Sequence, residues 1–257
     1  MSFGEIFSKS WKEYKSNFRE IFKFMFVFIV IPAIIFLIIN LFWTFSNPVI
    51  YQSISSNEKG SLPLSFFAFT IIVSVISIIL YLFVSAALTS ISIKKSKFNF
   101  KELMQFGKNN LLIYIGFVIV SMLFIFGLLL LLIIPGIIFA FYWIFGSYAL
   151  FDEKKGILKS LKRSKEIVKG RWWGVFGYTV LFFLIYLLVV IVSLLIQFPL
   201  WIMQIFNVLN NIPPSPGFFA VSSITETLIS AATQIVMVPL MILFFKNFYF
   251  DLKRRKK

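Results

Sequence analysis

Glu226 is the one acid inside a stretch of this sequence apolar enough to cross a membrane. It recurs with Ser223, Thr227, Ser230, Thr233 and Gln234 on roughly one face of a helix. Ionisable groups in spans mark binding or transport sites, so Glu226, Ser230 and Gln234 are the intramembrane candidates. The same spacing fits a polar seam packed against Ser85, Thr89 and Ser90, or a glutamate reaching the outer surface, and these packing readings are favoured. A position near the start of its span keeps Glu226 below the cost of about 3 kcal/mol for a charge at the bilayer centre. Asp152 and Glu153 are adjacent, with no further carboxylate beside them to build a metal site. The chain has no histidine and no cysteine, which excludes zinc chemistry and any Ser–His or Cys–His nucleophile. No glycine-rich phosphate loop is present. The expectation is a protein that is not an enzyme and holds no cofactor or metal.

The other residues able to act on a ligand are basic. Asp152 to Gly177, DEKKGILKSLKRSKEIVKGRWWGVFG, carries eight Lys/Arg against three acids between two long apolar runs. Ile157, Leu158, Leu161 and Val168 recur at helical spacing with lysines on the other face, and Gly170 reads as a helix C-cap. A basic amphipathic helix (152–171) leading through Trp172 and Trp173 into an apolar run is expected to lie on a membrane surface; a solvated helix between two spans is the competing reading. Lys159, Lys162, Arg163, Lys169, Arg171, Trp172 and Trp173 are the candidate lipid-contacting residues.

The elements that must position these groups follow from composition. Sixty per cent of the 257 residues are hydrophobic and 14% charged, against about 25% charged in a soluble domain. Long stretches carry no charge at all, which predicts an all-α, polytopic membrane helix bundle. Residues 1–23 read as an amphipathic helix, with Phe3, Ile6, Phe7, Trp11, Tyr14, Phe18, Ile21 and Phe22 on one face. Spans are expected at 24–45, 66–93, 111–134, 137–151, 175–203 and 223–248, and a basic tail at 249–257. Pro32 is expected to kink the first span, and Pro135-Gly136 to turn the hairpin inside the charge-free run Leu111–Phe151. Whether 137–151 crosses fully is open. Ser85-Ala86-Ala87 and Ser90 are small residues of the kind that let helices approach closely.

All but one of the 25 basic residues fall in four segments: the N-terminal stretch, 94–110, 152–171 and Lys246 onward. The exception is Lys59. Positive-inside asymmetry then predicts six spans in the cell membrane with both termini cytoplasmic. It also accounts for the net charge of +15 without nucleic acid as a partner. The unit of basic helix, break and two spans occurs three times, with breaks at Ser16-Asn17, Asn109-Asn110 and Gly170-Arg171. It reads either as a parallel repeat or as the common look of three positive-inside hairpins.

Asp152–Gly177 resembles a signature of the glycerophosphoryl diester phosphodiesterase membrane-domain family. The matching residues are Glu153, Gly156, Leu161, Ser164, Gly170, Arg171, Trp172 and Phe176; Lys165 stands where an aromatic residue is usual. FGEIFSKSWKEYKSNF is similar to how such proteins begin. The resemblance implies the membrane part alone, because the phosphodiesterase of those fusions is a separate soluble barrel. Three functional classes follow. The expected one is a lipid- or envelope-associated protein whose basic helices face anionic membrane lipids. The alternatives are a small-molecule or lipid transporter, and a scaffold for another membrane protein.

Overall fold

The computed structural model describes residues 1–47, 64–210, 212 and 215–255. Among them the chain is helical, with no strand: α1 (Phe3–Met25), a π-helical turn (Phe26–Val30), α2 (Ile31–Ser46), α3 (Leu64–Lys94), α4 (Phe100–Leu131), α5 (Ile133–Trp143), α6 (Gly146–Glu153), α7 (Ile157–Val168), α8 (Trp172–Leu209) and α9 (Pro216–Arg254). Six helical runs are long and apolar enough to cross a membrane: Phe3–Ser46, Leu64–Lys94, Phe100–Leu131, Ile133–Glu153, Trp172–Leu209 and Pro216–Arg254. The protein is a multi-pass helical membrane bundle.

Two of the three expected breaks are absent. Ser16-Asn17 lies inside α1 and Asn109-Asn110 inside α4. Both asparagines bond within their own helix: Asn17 Nδ2 donates to the Glu13 carbonyl at 3.0 Å, and Asn110 Nδ2 to the Phe106 carbonyl at 2.8 Å. That bonding to the preceding turn removes their tendency to end a helix. Only Gly170, at φ +85°, breaks the chain, because the left-handed conformation needs no Cβ there. The last two long helices also outrun their expected limits. α8 continues to Leu209, and α9 starts at Pro216, where a proline's missing N–H costs nothing and the Ser215 hydroxyl accepts from Phe218 N at 3.2 Å. The stretch 204–222, expected as the loop between the spans at 175–203 and 223–248, is therefore mostly helix among its described residues, and Glu226 sits about 15 Å along α9 rather than at its start. Residues 249–254 are not a free tail but the packed end of α9, with Tyr249, Asp251 and Leu252 buried. Pro48, Lys59-Gly60, Pro63 and Pro213-Pro214, which read as turn signals in the sequence, lie outside the described residues.

Pro32 acts one turn upstream of itself. It has no N–H for the Phe28 carbonyl and its ring crowds that position, so the preceding turn widens and Ile31 N donates to Phe26 O. The hairpin turns at Leu132 (φ −153°, ψ 111°), three residues before the expected Pro135, which falls in the first turn of α5. Leu132 N donates to Leu128 O at 2.8 Å, and Gly136 N to Leu132 O at 3.1 Å. Leu130, Leu131, Leu132, Ile133 and Ile134 are 64–79% exposed, so the tip is wholly aliphatic. Gly136 permits the close return: a Cβ there would lie 2.9 Å from the backbone nitrogen of Leu129. Gly136→Ala is expected to lower stability by about 1–3 kcal/mol through overpacking, read as a drop in melting temperature in detergent.

The chain divides into two compact units, Met1–Phe24 with Leu82–Ile185 and Val236–Lys257, and Met25–Tyr81 with Tyr186–Ile235. Within the first, the small residues of α3 do what their size suggests: Ala86 and Ala87 are fully buried, and a Cβ on Gly107 of α4 would lie 3.2 Å from that of Ala87. The first unit carries every basic residue except Lys59 and every acid except Glu58 and Glu226.

Candidate functional site

The segment Asp152–Gly177 is built into the first unit. α6 ends at Lys154 in the left-handed conformation (φ 51°), Gly156 (φ +83°) reverses the chain, and α7 begins. Its buried side chains are Ser160, Leu161, Ser164, Ile167 and Val168; Leu158, expected on this face, is 63% exposed. Leu161 joins Phe117, Leu150 and Phe151 in a core cluster. Ser164 is fully buried, donates to the Tyr142 carbonyl at 2.7 Å and accepts from Phe145 N at 3.1 Å, so its hydroxyl ties α7 to the bend between α5 and α6.

The family-like residues all do architectural work of this kind. Glu153 accepts from Arg163 Nε at 2.8 Å, a hydrogen bond that holds the guanidinium above its ordinary pKa, and Arg163 also reaches Glu166 at 3.3 Å. Arg171 Nη2 donates to the Arg255 carbonyl at 3.0 Å. Trp172 Nε1 donates to the Ile138 carbonyl at 3.3 Å, and its ring stacks on Phe176. Arg163 and Trp172 are thus held by the protein, and Arg171 is tethered through Nη2 while its buried Nη1 has no hydrogen-bond partner among the described residues. Lys159, Lys162 and Lys169 are exposed without a hydrogen bond or ion pair among the described residues, and Trp173 beyond them is 77% exposed. Of the seven candidates, these four form the outward face.

α1 behaves similarly. Ile6, Ser10, Tyr14, Asn17 and Ile21 are buried, whereas Phe18 and Phe22, expected on the same face, are exposed. The buried stripe includes polar groups because α1 packs on a polar part of α9. Lys246 bonds Glu13, and Asn247 Nδ2 donates to Ser10 Oγ at 3.0 Å and to Glu13 at 3.3 Å. Farther along, Asp251 pairs with Arg255 at 3.1 Å, while Asp152 accepts from Tyr249 Oη at 2.7 Å and pairs with Lys253. The pattern of residues gives little notice of this network, since Glu13 and Lys246 stand 233 positions apart. The available signal is an acid beside the apolar face of α1 and a lysine inside the apolar run MILFFKNFYF. Every described acid of the first unit is engaged: Glu5, Glu20 and Glu102 take Ser2 N, Lys23 and Lys95. Its lysines outnumber its acids, and Lys159, Lys162 and Lys169 pair with none among the described residues.

Glu226, Ser230 and Gln234 come together in the second unit, along a cavity of about 430 Å³ between α2, α3 and α9. Its polar wall is completed by Asn40 and by Thr70, Ser74 and Ser77 of α3, not by Ser85, Thr89 and Ser90. Those three are buried in the first unit, where Ser90 donates to the Ala87 carbonyl at 3.2 Å. The cause is a register difference of a few turns: the serines facing α9's polar stripe are the earlier ones of α3. Ser230 accepts from Gln234 Nε2 at 3.2 Å. Glu226 has no hydrogen bond or ion pair among the described residues. No group of three or more acidic or other metal-ligating side chains that could hold a metal occurs among them.

Fold and charge define the class: a polytopic helical membrane protein with a basic unit and a nearly uncharged one. A family model described as "Domain of unknown function (DUF7847)" matches residues 103–252, and the chain belongs to that family. No curated protein and no solved structure matches it.

Proposed function

We propose that the protein is a non-enzymatic component of the cell membrane that gathers anionic lipids at its basic unit. The observation that carries this reading is the fixed basic face of α7. Burial of Leu161, Ser164 and Val168 holds the helix in place, and Lys159, Lys162 and Lys169 then project together; the acid on that side, Glu166, is bonded to Arg163 instead. Each lysine near an anionic leaflet contributes about 1 kcal/mol. By the positive-inside rule the basic unit lies on the cytoplasmic side, with both termini there. The anchoring of α7 favours an amphipathic helix whose apolar stripe serves the bundle and whose lysines serve the headgroups. The resemblance to the phosphodiesterase membrane-domain family supports a membrane role without hydrolysis.

In vesicles of phosphatidylcholine and phosphatidylglycerol, tryptophan quenching by brominated phosphatidylglycerol should exceed quenching by brominated phosphatidylcholine. Lys159→Gln with Lys162→Gln and Lys169→Gln should cut that preference by about tenfold or more, given about 1 kcal/mol per charge. Salt should weaken the wild-type preference, since exposed charges are screened within about 8 Å at physiological ionic strength. An unchanged preference in the triple variant, with helicity intact, would remove the basis for this function.

A further inference from the structure

The cavity of the second unit has a chemistry of its own, independent of the basic face. Hydroxyl protons along its wall are already spent on the helices that carry them. Thr70 donates to the Phe66 carbonyl at 2.9 Å, Ser74 to Thr70 O at 2.8 Å, Ser77 to Val73 O at 2.8 Å, and Thr227 to Ser223 O at 2.8 Å. Ser230 accepts from Gln234, which leaves its own proton free. What the other four hydroxyls turn toward the cavity is oxygen lone pairs. Beside them is the Glu226 carboxylate, unpaired among the described residues, and the rings of Phe36 and Phe69 also line the space. Among the described residues no lysine or arginine lines it. Four acceptor hydroxyls, one carboxylate and two aromatic rings complement a donor-rich cation, and the Asn40 and Gln234 amides can accept as well as donate.

Position and surroundings narrow the class. Glu226 and Ser74 each stand about 15 Å from the start of their helices, and both side chains are exposed, so the space is an open cleft along candidate spans that a ligand can enter from the side. A volume of about 430 Å³ falls within the range of small-molecule pockets and holds an ammonium head with part of its chain. The outward neighbours are aliphatic, with Ile72 57% and Leu228 54% exposed, so an acyl or alkyl chain leaving the cavity meets apolar surface. The geometry points to a binding site for a primary ammonium group, with Glu226 as its counter-ion and the α3 hydroxyls as hydrogen-bond acceptors. Such a group arrives either on an aminophospholipid or on a soluble amine.

Native mass spectrometry of the full chain in detergent, titrated with phosphatidylethanolamine, phosphatidylglycerol or free ethanolamine, tests this. One phosphatidylethanolamine should be retained per chain in preference to phosphatidylglycerol. Glu226→Gln should weaken that retention at least tenfold at an unchanged melting temperature. Ser74→Ala with Ser77→Ala, which leaves the carboxylate in place, should weaken it about threefold, and stands in if the glutamine variant does not fold. Displacement of the lipid by millimolar ethanolamine assigns the site to soluble amines; persistence of the lipid assigns it to the aminophospholipid. Equal retention by wild type and Glu226→Gln, equal retention of phosphatidylglycerol, or retention of neither amine overturns the proposal. The variants of the α7 lysines should bind phosphatidylethanolamine as wild type does, which separates this site from the basic face.

Discussion

Lys246→Met is expected to lower stability by about 3–5 kcal/mol, the usual cost of leaving one partner of a buried ion pair behind. The Lys246 and Glu13 side chains are only 7% and 11% exposed, and Asn247 and Ser10 complete the cluster. Removing the ammonium leaves the buried carboxylate with only the long Asn247 hydrogen bond, at 3.3 Å, to offset its charge. Removing both charges, in Lys246→Met with Glu13→Leu, should recover most of the loss, because an apolar pair of similar volume needs no solvation. Thermal unfolding followed by tryptophan fluorescence in one detergent reads both variants. Equal stability of wild type and Lys246→Met would mean that α1 and α9 do not meet through this pair.

Tyr249→Ala should be comparably severe, at about 3–5 kcal/mol for a large aromatic side chain cut from a core. Tyr249 is fully buried, stacks on Tyr148 and lies against Phe145. Tyr249→Phe keeps the ring and removes only the hydroxyl that Asp152 accepts at 2.7 Å, so about 1–3 kcal/mol is expected. The two variants separate packing from hydrogen bonding at the junction of α6 and α9. If they melted together, the hydroxyl rather than the ring would be the dominant element there.

The span count and the placement of basic residues were legible because hydrophobicity and charge act over whole segments, and no tertiary contact is needed to see them. The breaks were not. An asparagine reads as a stop in isolation, yet Asn17 and Asn110 find carbonyls one turn back and stay helical. Faces were legible only in part. The periodicity of α7 pairs Leu158 with Leu161, but the fold leaves Leu158 exposed and buries Ser160 and Ser164 beside Leu161, because carbonyls at the α5–α6 bend and within α7 itself accept from their hydroxyls. The polar stripe around Glu226 was visible as a stripe. Its partners were not, since choosing Ser74 and Ser77 over Ser85 and Thr89 depends on how α9 and α3 align, and a helical repeat alone leaves that alignment free. The candidate lipid residues divided in the same way: long basic side chains look alike in sequence, and only acids brought near by folding distinguish the tethered Arg163 from the free Lys162.

The turn at Leu132 has a consequence for how the chain is made. Its tip carries no polar side chain, and Leu132 itself is bonded through its N–H to Leu128 and through its carbonyl to Gly136. No side chain at the turn has to be delivered to water when α4 and α5 leave the ribosome. The two helices can therefore pass sideways into lipid as one folded pair, without translocation of a hydrophilic loop.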